Sequence, residues 1–123
     1  MYEETQQAMT EARTNLKNEK EIRKRIENQL NECESQAEQS RKEFLKAAKL
    51  IAVMAFKKPK SYTEVSAAIQ PVNCYITMVQ QISVIKKQLT AAIEDEKIAT
   101  QEYNVAKKQF EQMASITGSN DNG

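Results

Sequence analysis

The sequence predicts an all-α protein, a long antiparallel helical hairpin of the coiled-coil kind that could assemble as a four-helix bundle in a dimer. Three observations predict it. Only two Gly and two Pro occur among 123 residues, and good helix formers such as Glu, Lys, Gln, Ala and Leu recur throughout. Apolar residues return at alternating steps of three and four along two long stretches. Between those stretches lies Lys57-Lys58-Pro59-Lys60, the one place where the pattern breaks with a proline.

The first helix is expected over about residues 2–56. Its seam reads Tyr2, Met9, Ala12, Leu16, Glu19, Arg23, Ile26, Leu30, Cys33, Ala37, Ser40, Phe44, Ala47, Ile51 and Met54, with no Gly or Pro inside it. Such a run far exceeds the roughly 11–12 residues of a mean globular helix. Pro59 lacks an amide hydrogen and disfavours helical geometry at the residue before it, so a turn is expected over residues 57–61.

Ser61 stands three residues ahead of Glu64, the spacing of a capping box. The second helix is therefore expected over about 62–114. Its seam reads Val65, Ala68, Val72, Tyr75, Val79, Ile82, Lys86, Leu89, Ile93, Glu96, Thr100, Tyr103, Lys107 and Phe110. Pro71 lies inside and is expected either to kink this helix or to split off a short one from about Tyr62 to Gln70. Residues 1–114 thus form one helical domain. Residues 115–123 are poor in apolar side chains and rich in turn formers, and are expected to be a disordered tail.

Folding the chain back around Pro59 and Lys60 tests the two seams against each other. It sets Phe44 against Tyr75, Ala47 against Val72, Ala37 against Ile82, Ile26 against Ile93, Leu16 against Tyr103 and Met9 against Phe110. It also sets Arg23 against Glu96. A polar pair in an apolar seam can specify register while adding little stability; the alternative is that both side chains snorkel to water.

Apolar residues outgrow the seams near the turn: Leu45, Leu50, Val53 and Phe56 on one helix, Ile69, Ile76, Met78, Val84 and Ile85 on the other. A two-helix hairpin cannot bury them all, and large exposed apolar patches mark interaction surfaces. Self-association as a dimer or higher oligomer through Ile69, Ile76, Val84 and Ile85 is the expected outcome. The competing one is that the Pro71 segment folds over as a third helix.

Chemistry is less visible. The chain contains no His and no phosphate-cradling Gly-rich loop, and Glu94-Asp95-Glu96 point in different directions around a helix, so neither catalysis nor a cofactor is expected. Cys33 and Cys74, without a second soft-ligand cluster, suit no metal; both read as small core residues. In the hairpin register they lie too far apart to be bridged.

A net charge of +1 with mixed signs gives no global field for nucleic acid, which is not an expected partner. The apolar stretch Leu50–Phe56 is far short of the ~20 residues that span a bilayer, and the opening residues do not resemble a signal peptide, so a soluble, cytoplasmic, reducing location is expected. The one local charge feature is Lys46, Lys49, Lys57, Lys58 and Lys60, with no acidic residue between Phe44 and Thr63. These lysines either offer a basic tip to a cytoskeletal or other polyanionic surface or complement the end of the first helix dipole. The expected function is that of a non-enzymatic structural or interaction protein, a self-associating scaffold or adaptor binding a protein partner.

Overall fold

The computed structural model describes residues 2–54, 56–57 and 61–121, with side chains as far as Ile116. Two helices, α1 (Tyr2–Met54) and α2 (Tyr62–Asp121), pack on each other as an all-α helical hairpin, and no strand occurs among the described residues. Glu3 and Glu4 occupy the first turn of α1, where carboxylates favour the positive end of the helix dipole. The amides of Phe56 and Lys57 both donate to the Val53 carbonyl, at 3.0 and 2.9 Å, which satisfies one of the acceptors left open at the helix end. At the start of α2 the Glu64 amide donates to the Ser61 hydroxyl at 3.2 Å, as the capping pattern requires.

The chain forms two compact units. The first joins Met1–Ile26 to Gln88–Gly123. Here the Arg23 guanidinium donates to the Glu96 carboxylate, the Arg13 guanidinium stands 5.9 Å from the Tyr103 ring centre, and the rings of Tyr2 and Phe110 meet at 5.3 Å. Numbers fall along α1 as they rise along α2, so the helices are antiparallel. The buried residues of this unit are Ala92, Ala99 and Ala106, one every seventh position. Small side chains at a helix contact allow close approach of the axes.

The second unit is Glu27–Lys87. Phe44 stacks on Tyr75 with ring centres 4.7 Å apart, and the buried residues are Ala37, Ala47, Ala68 and Ile85. Its α2 stretch passes through Pro71 as part of one helix, so no separate short helix forms and none folds over as a third. The ring removes one backbone bond of the ladder, a loss the rest of this long helix tolerates.

The seam of α1 follows most of the expected residues: Met9, Ala12, Leu16, Glu19, Arg23, Ile26, Leu30, Cys33, Ser40, Phe44 and Met54 are half-buried, and Ala37 and Ala47 buried, whereas Tyr2 and Ile51, near its two ends, are exposed. That of α2 departs from expectation. Val79, Lys86, Ile93 and Lys107 are exposed, and the covered positions are Met78, Ile85, Ala92 and Ala106 instead; Ala99 is buried beside a half-buried Thr100. The pattern takes two steps of three in succession, Val72 to Tyr75 to Met78, and thereafter every second seam position lies one residue earlier. Such a phase step locally changes the winding of a helix pair. Its outcome is apolar: Ile85, Ala92 and Ala106 take the places where a strict alternation would have put Lys86, Ile93 and Lys107.

Three further boundaries and pairs differ. Helix α1 ends at Met54, just short of the expected 56, and α2 continues to Asp121 where a disordered tail was expected after 114. Extending an existing helix gains one backbone bond per residue fixed, so propagation can outrun the apolar pattern. Phe110 pairs with Tyr2, a heptad before the expected Met9.

Candidate interaction surface

The functional residues expected from the sequence fall into three groups. Arg23 and Glu96 do meet: their side chains are 24% and 18% exposed, and the pair is part-buried within the first unit. Thr100, one turn on, donates its hydroxyl to the Glu96 carbonyl at 2.8 Å, so its polar group is satisfied within the helix. No buried side-chain polar atom among the described residues lacks a partner.

The lysine group is less coherent. Lys46 stands 3.8 Å from the Glu43 carboxylate, an exposed pair one turn apart, while Lys49 and Lys57 are exposed. Lys58 and Lys60 lie outside the described residues. Because α1 ends at Met54 with no basic residue in its last turn, Lys57 follows the helix rather than capping its dipole from within. No cluster of metal-ligating side chains occurs among the described residues. Cys33 is half-buried and Cys74 exposed, both as free thiols, so Cys74 is not the core residue its spacing suggested.

The apolar group is the most informative. Ile85 belongs to the intramolecular core at 5% exposure and is unavailable to a partner, a correction that follows from the phase step in α2. Ile69, Ile76 and Val84 remain exposed, as do Leu45, Leu50 and Val53 on α1. Ile69 and Ile76 belong to a stripe missed in the sequence: Tyr62, Val65, Ile69, Val72, Ile76 and Val79 recur at steps of three and four. Val65 and Val72 are half-buried, because they also touch the intramolecular seam, whereas the other four are exposed. The spacing was visible, but assigning Val65, Val72 and Val79 to the inner seam concealed that they alternate equally well with Ile69 and Ile76.

The surroundings of that stripe are uncharged. From Val65 to Ile85 the sequence contains no Asp, Glu, Lys or Arg, and the exposed neighbours are Ser66, Gln70, Asn73 and Gln80. Shallow grooves border it, one lined by Tyr62, Val65, Ser66, Ile69, Gln70 and Asn73. No described helix is long and apolar enough to cross a membrane. Comparison of the chain with protein-family models, curated proteins and solved structures finds no match.

Proposed function

We propose that the chain is a non-enzymatic scaffold that works by self-association, using the apolar surface of its second unit and leaving the charged remainder to a protein partner. One observation carries this proposal: what is buried and what is exposed are inverted in size. Among the described residues six of the seven buried hydrophobic ones are alanines, and Ile85 is the seventh, while Leu45, Leu50, Val53, Ile69, Ile76 and Val84 are all more than 40% exposed. A fully buried Val, Leu or Ile contributes about 1.5–3 kcal/mol relative to its exposed state, far more than an alanine methyl. A single hairpin leaves about half of that contribution unrealised at these positions, and association with a second apolar surface would supply it.

The test is thermodynamic. Anything that binds the folded chain raises its apparent stability by mass action, so the melting temperature should climb with protein concentration, and sedimentation equilibrium should give at least a dimer at micromolar concentration. A monomer mass with a concentration-independent melt would refute self-association.

A second reading rests on exposed Lys49 and Lys57 beside Phe56, which is 92% exposed. A basic end of this kind suits a polyanionic surface. Its signature would be binding to a polymer such as heparin that weakens steeply with added salt and is lost when Lys49 and Lys57 become Gln, whereas apolar self-association is insensitive to both.

A further inference from the structure

We infer that the stripe Tyr62, Val65, Ile69, Val72, Ile76 and Val79 on α2 is the docking surface for the same stripe of a second copy, laid antiparallel about a two-fold axis near Gln70. This rests on the self-association proposed above and assigns it a face, a partner and a direction.

The spacing supplies the first support. An α-helix seats on another when its contact residues recur at steps of three and four, and this stripe does so over about five turns without interruption. Its steps run three, four, three, four, three, and so read the same in both directions. Laid antiparallel on its copy, the stripe therefore sets Ile69 against Val72, Val65 against Ile76 and Tyr62 against Val79, apolar against apolar throughout.

Charge supplies the second. A two-fold interface brings a patch against itself, so any charge near the axis meets its own like. Most long stretches of this chain would fail that requirement, since charged residues make up 28% of the sequence. The stretch Val65–Ile85 contains none, and the stripe is flanked by Ser66, Gln70, Asn73 and Gln80, which can hydrogen-bond across an axis in either orientation. A partner of opposite charge would find nothing there to recognise.

Direction follows from the lysines. A parallel arrangement would bring Lys57 of the two copies side by side, with no acidic residue between Phe44 and Thr63 to offset the pair. The antiparallel arrangement sends the two Lys57 groups to opposite ends of the interface, while Lys46, which lines a groove with Pro71, is level with its middle in either arrangement. Like charges brought together at an interface oppose association, which decides between the two.

The experiment uses the full chain in two charged versions, Ile69→Glu with Ile76→Glu, and Ile69→Lys with Ile76→Lys. Both positions are exposed in the hairpin, so each version should keep the helicity of the parent by circular dichroism. Each alone should dimerise at least about tenfold more weakly than the parent, and an equimolar mixture should recover at least about tenfold over either, because the stripe faces itself. Direction is read with Cys33 and Cys74 changed to Ala: Ile69→Cys and Val72→Cys chains should form a disulfide with each other on mixing, in preference to homodisulfides.

Parent dimers that survive both charged versions would overturn this face while leaving self-association standing. A parent that is monomeric throughout would overturn both, and one that instead floats with phosphatidylcholine vesicles would identify a lipid surface as the occupant. Charged versions that stay monomeric on mixing despite native helicity would refute a self-facing stripe, and dominant Ile69→Cys homodisulfides would refute the antiparallel direction.

Discussion

Helix α2 contributes to both compact units, and its two stretches solve the problem of covering a helix face in opposite ways. In the unit containing Gln88–Gly123, it buries Ala92, Ala99 and Ala106 and surrounds them with Glu94, Asp95, Glu96, Lys97, Glu102, Lys107 and Lys108. In the unit Glu27–Lys87, it buries Ala68 and Ile85, presents Ile69, Ile76 and Val84 to solvent, and carries no charge from Val65 to Ile85. Close approach of small side chains within a charged surround is the theme of the first stretch. The second has more apolar surface than one neighbour can cover, and its lack of charge removes the usual barrier to association with a like surface. Both stretches leave large apolar side chains exposed over buried alanines, Ile93, Ile98 and Val105 in the first and Ile69, Ile76 and Val84 in the second, so what separates them is charge.

The largest effect that would sharpen the contrast is at Ile85, the one large side chain buried among the described residues of either unit. Ile85→Ala should destabilise the fold by about 2–4 kcal/mol in urea unfolding, in the range for large-to-small core changes. Val84→Ala, at a neighbouring exposed position, should change the stability of the monomeric hairpin by less than about 0.5 kcal/mol. Equal effects at the two positions would erase the distinction between core and surface on this stretch.

Next in size is a test of the alanine column. Ala91 is exposed and Ala92 is 4% exposed, so the same enlargement should have different outcomes one residue apart. Ala92→Leu should cost about 1–3 kcal/mol by overpacking, and Ala91→Leu almost nothing. The reverse order would refute a seam that runs through Ala92 and Ala99.

Arg23 and Glu96 come third. Arg23→Ala leaves a part-buried carboxylate without its counter-charge, at a cost of about 1–2 kcal/mol in thermal or urea unfolding. Changing both residues to Leu should recover that loss, since well-packed apolar pairs often equal or exceed an ion pair in stability, while relaxing the register the pair specifies. A double-mutant cycle without coupling would mean the two charges act independently.

Much of this was legible in advance, and for identifiable reasons. The α1 seam was readable because its apolar residues keep one alternation from Met9 to Met54, and Arg23 against Glu96 followed because a polar residue in each seam met at a single fold-back point. The α2 seam was misread because alternation was carried on through Val72 and Tyr75, where the helix instead changes phase. Alanine contributed to the error: Ala91 and Ala92, or Ala67 and Ala68, are equally apolar, and only packing decides which of each pair is buried. Ile85 was consequently assigned to a partner when it belongs to the core. The exposed stripe around Ile69 and Ile76 was half-seen, since those two residues were recognised as surplus but not their regular spacing with Tyr62 and Val79.

The smallest effect concerns where the uncharged stretch begins. Ser61 accepts a hydrogen bond from the Glu64 amide, and Glu64 is the last charged residue before the stretch opens at Val65. Ser61→Ala should therefore lower stability by about 0.5–1 kcal/mol, the usual loss for an N-cap hydroxyl, and Ser61→Asp should retain it because a carboxylate accepts the same bond and suits the positive end of the helix. Amide exchange separates a local effect from a global one. The amides of Tyr62 to Ile69 should exchange faster in Ser61→Ala, while those around Ala92 and Ala99 stay protected, since fraying at a helix start falls off within its first turns. If protection were lost equally in both stretches, the cap would be holding the whole hairpin. The two stretches of α2 would then behave as one cooperative element rather than as two with separate roles.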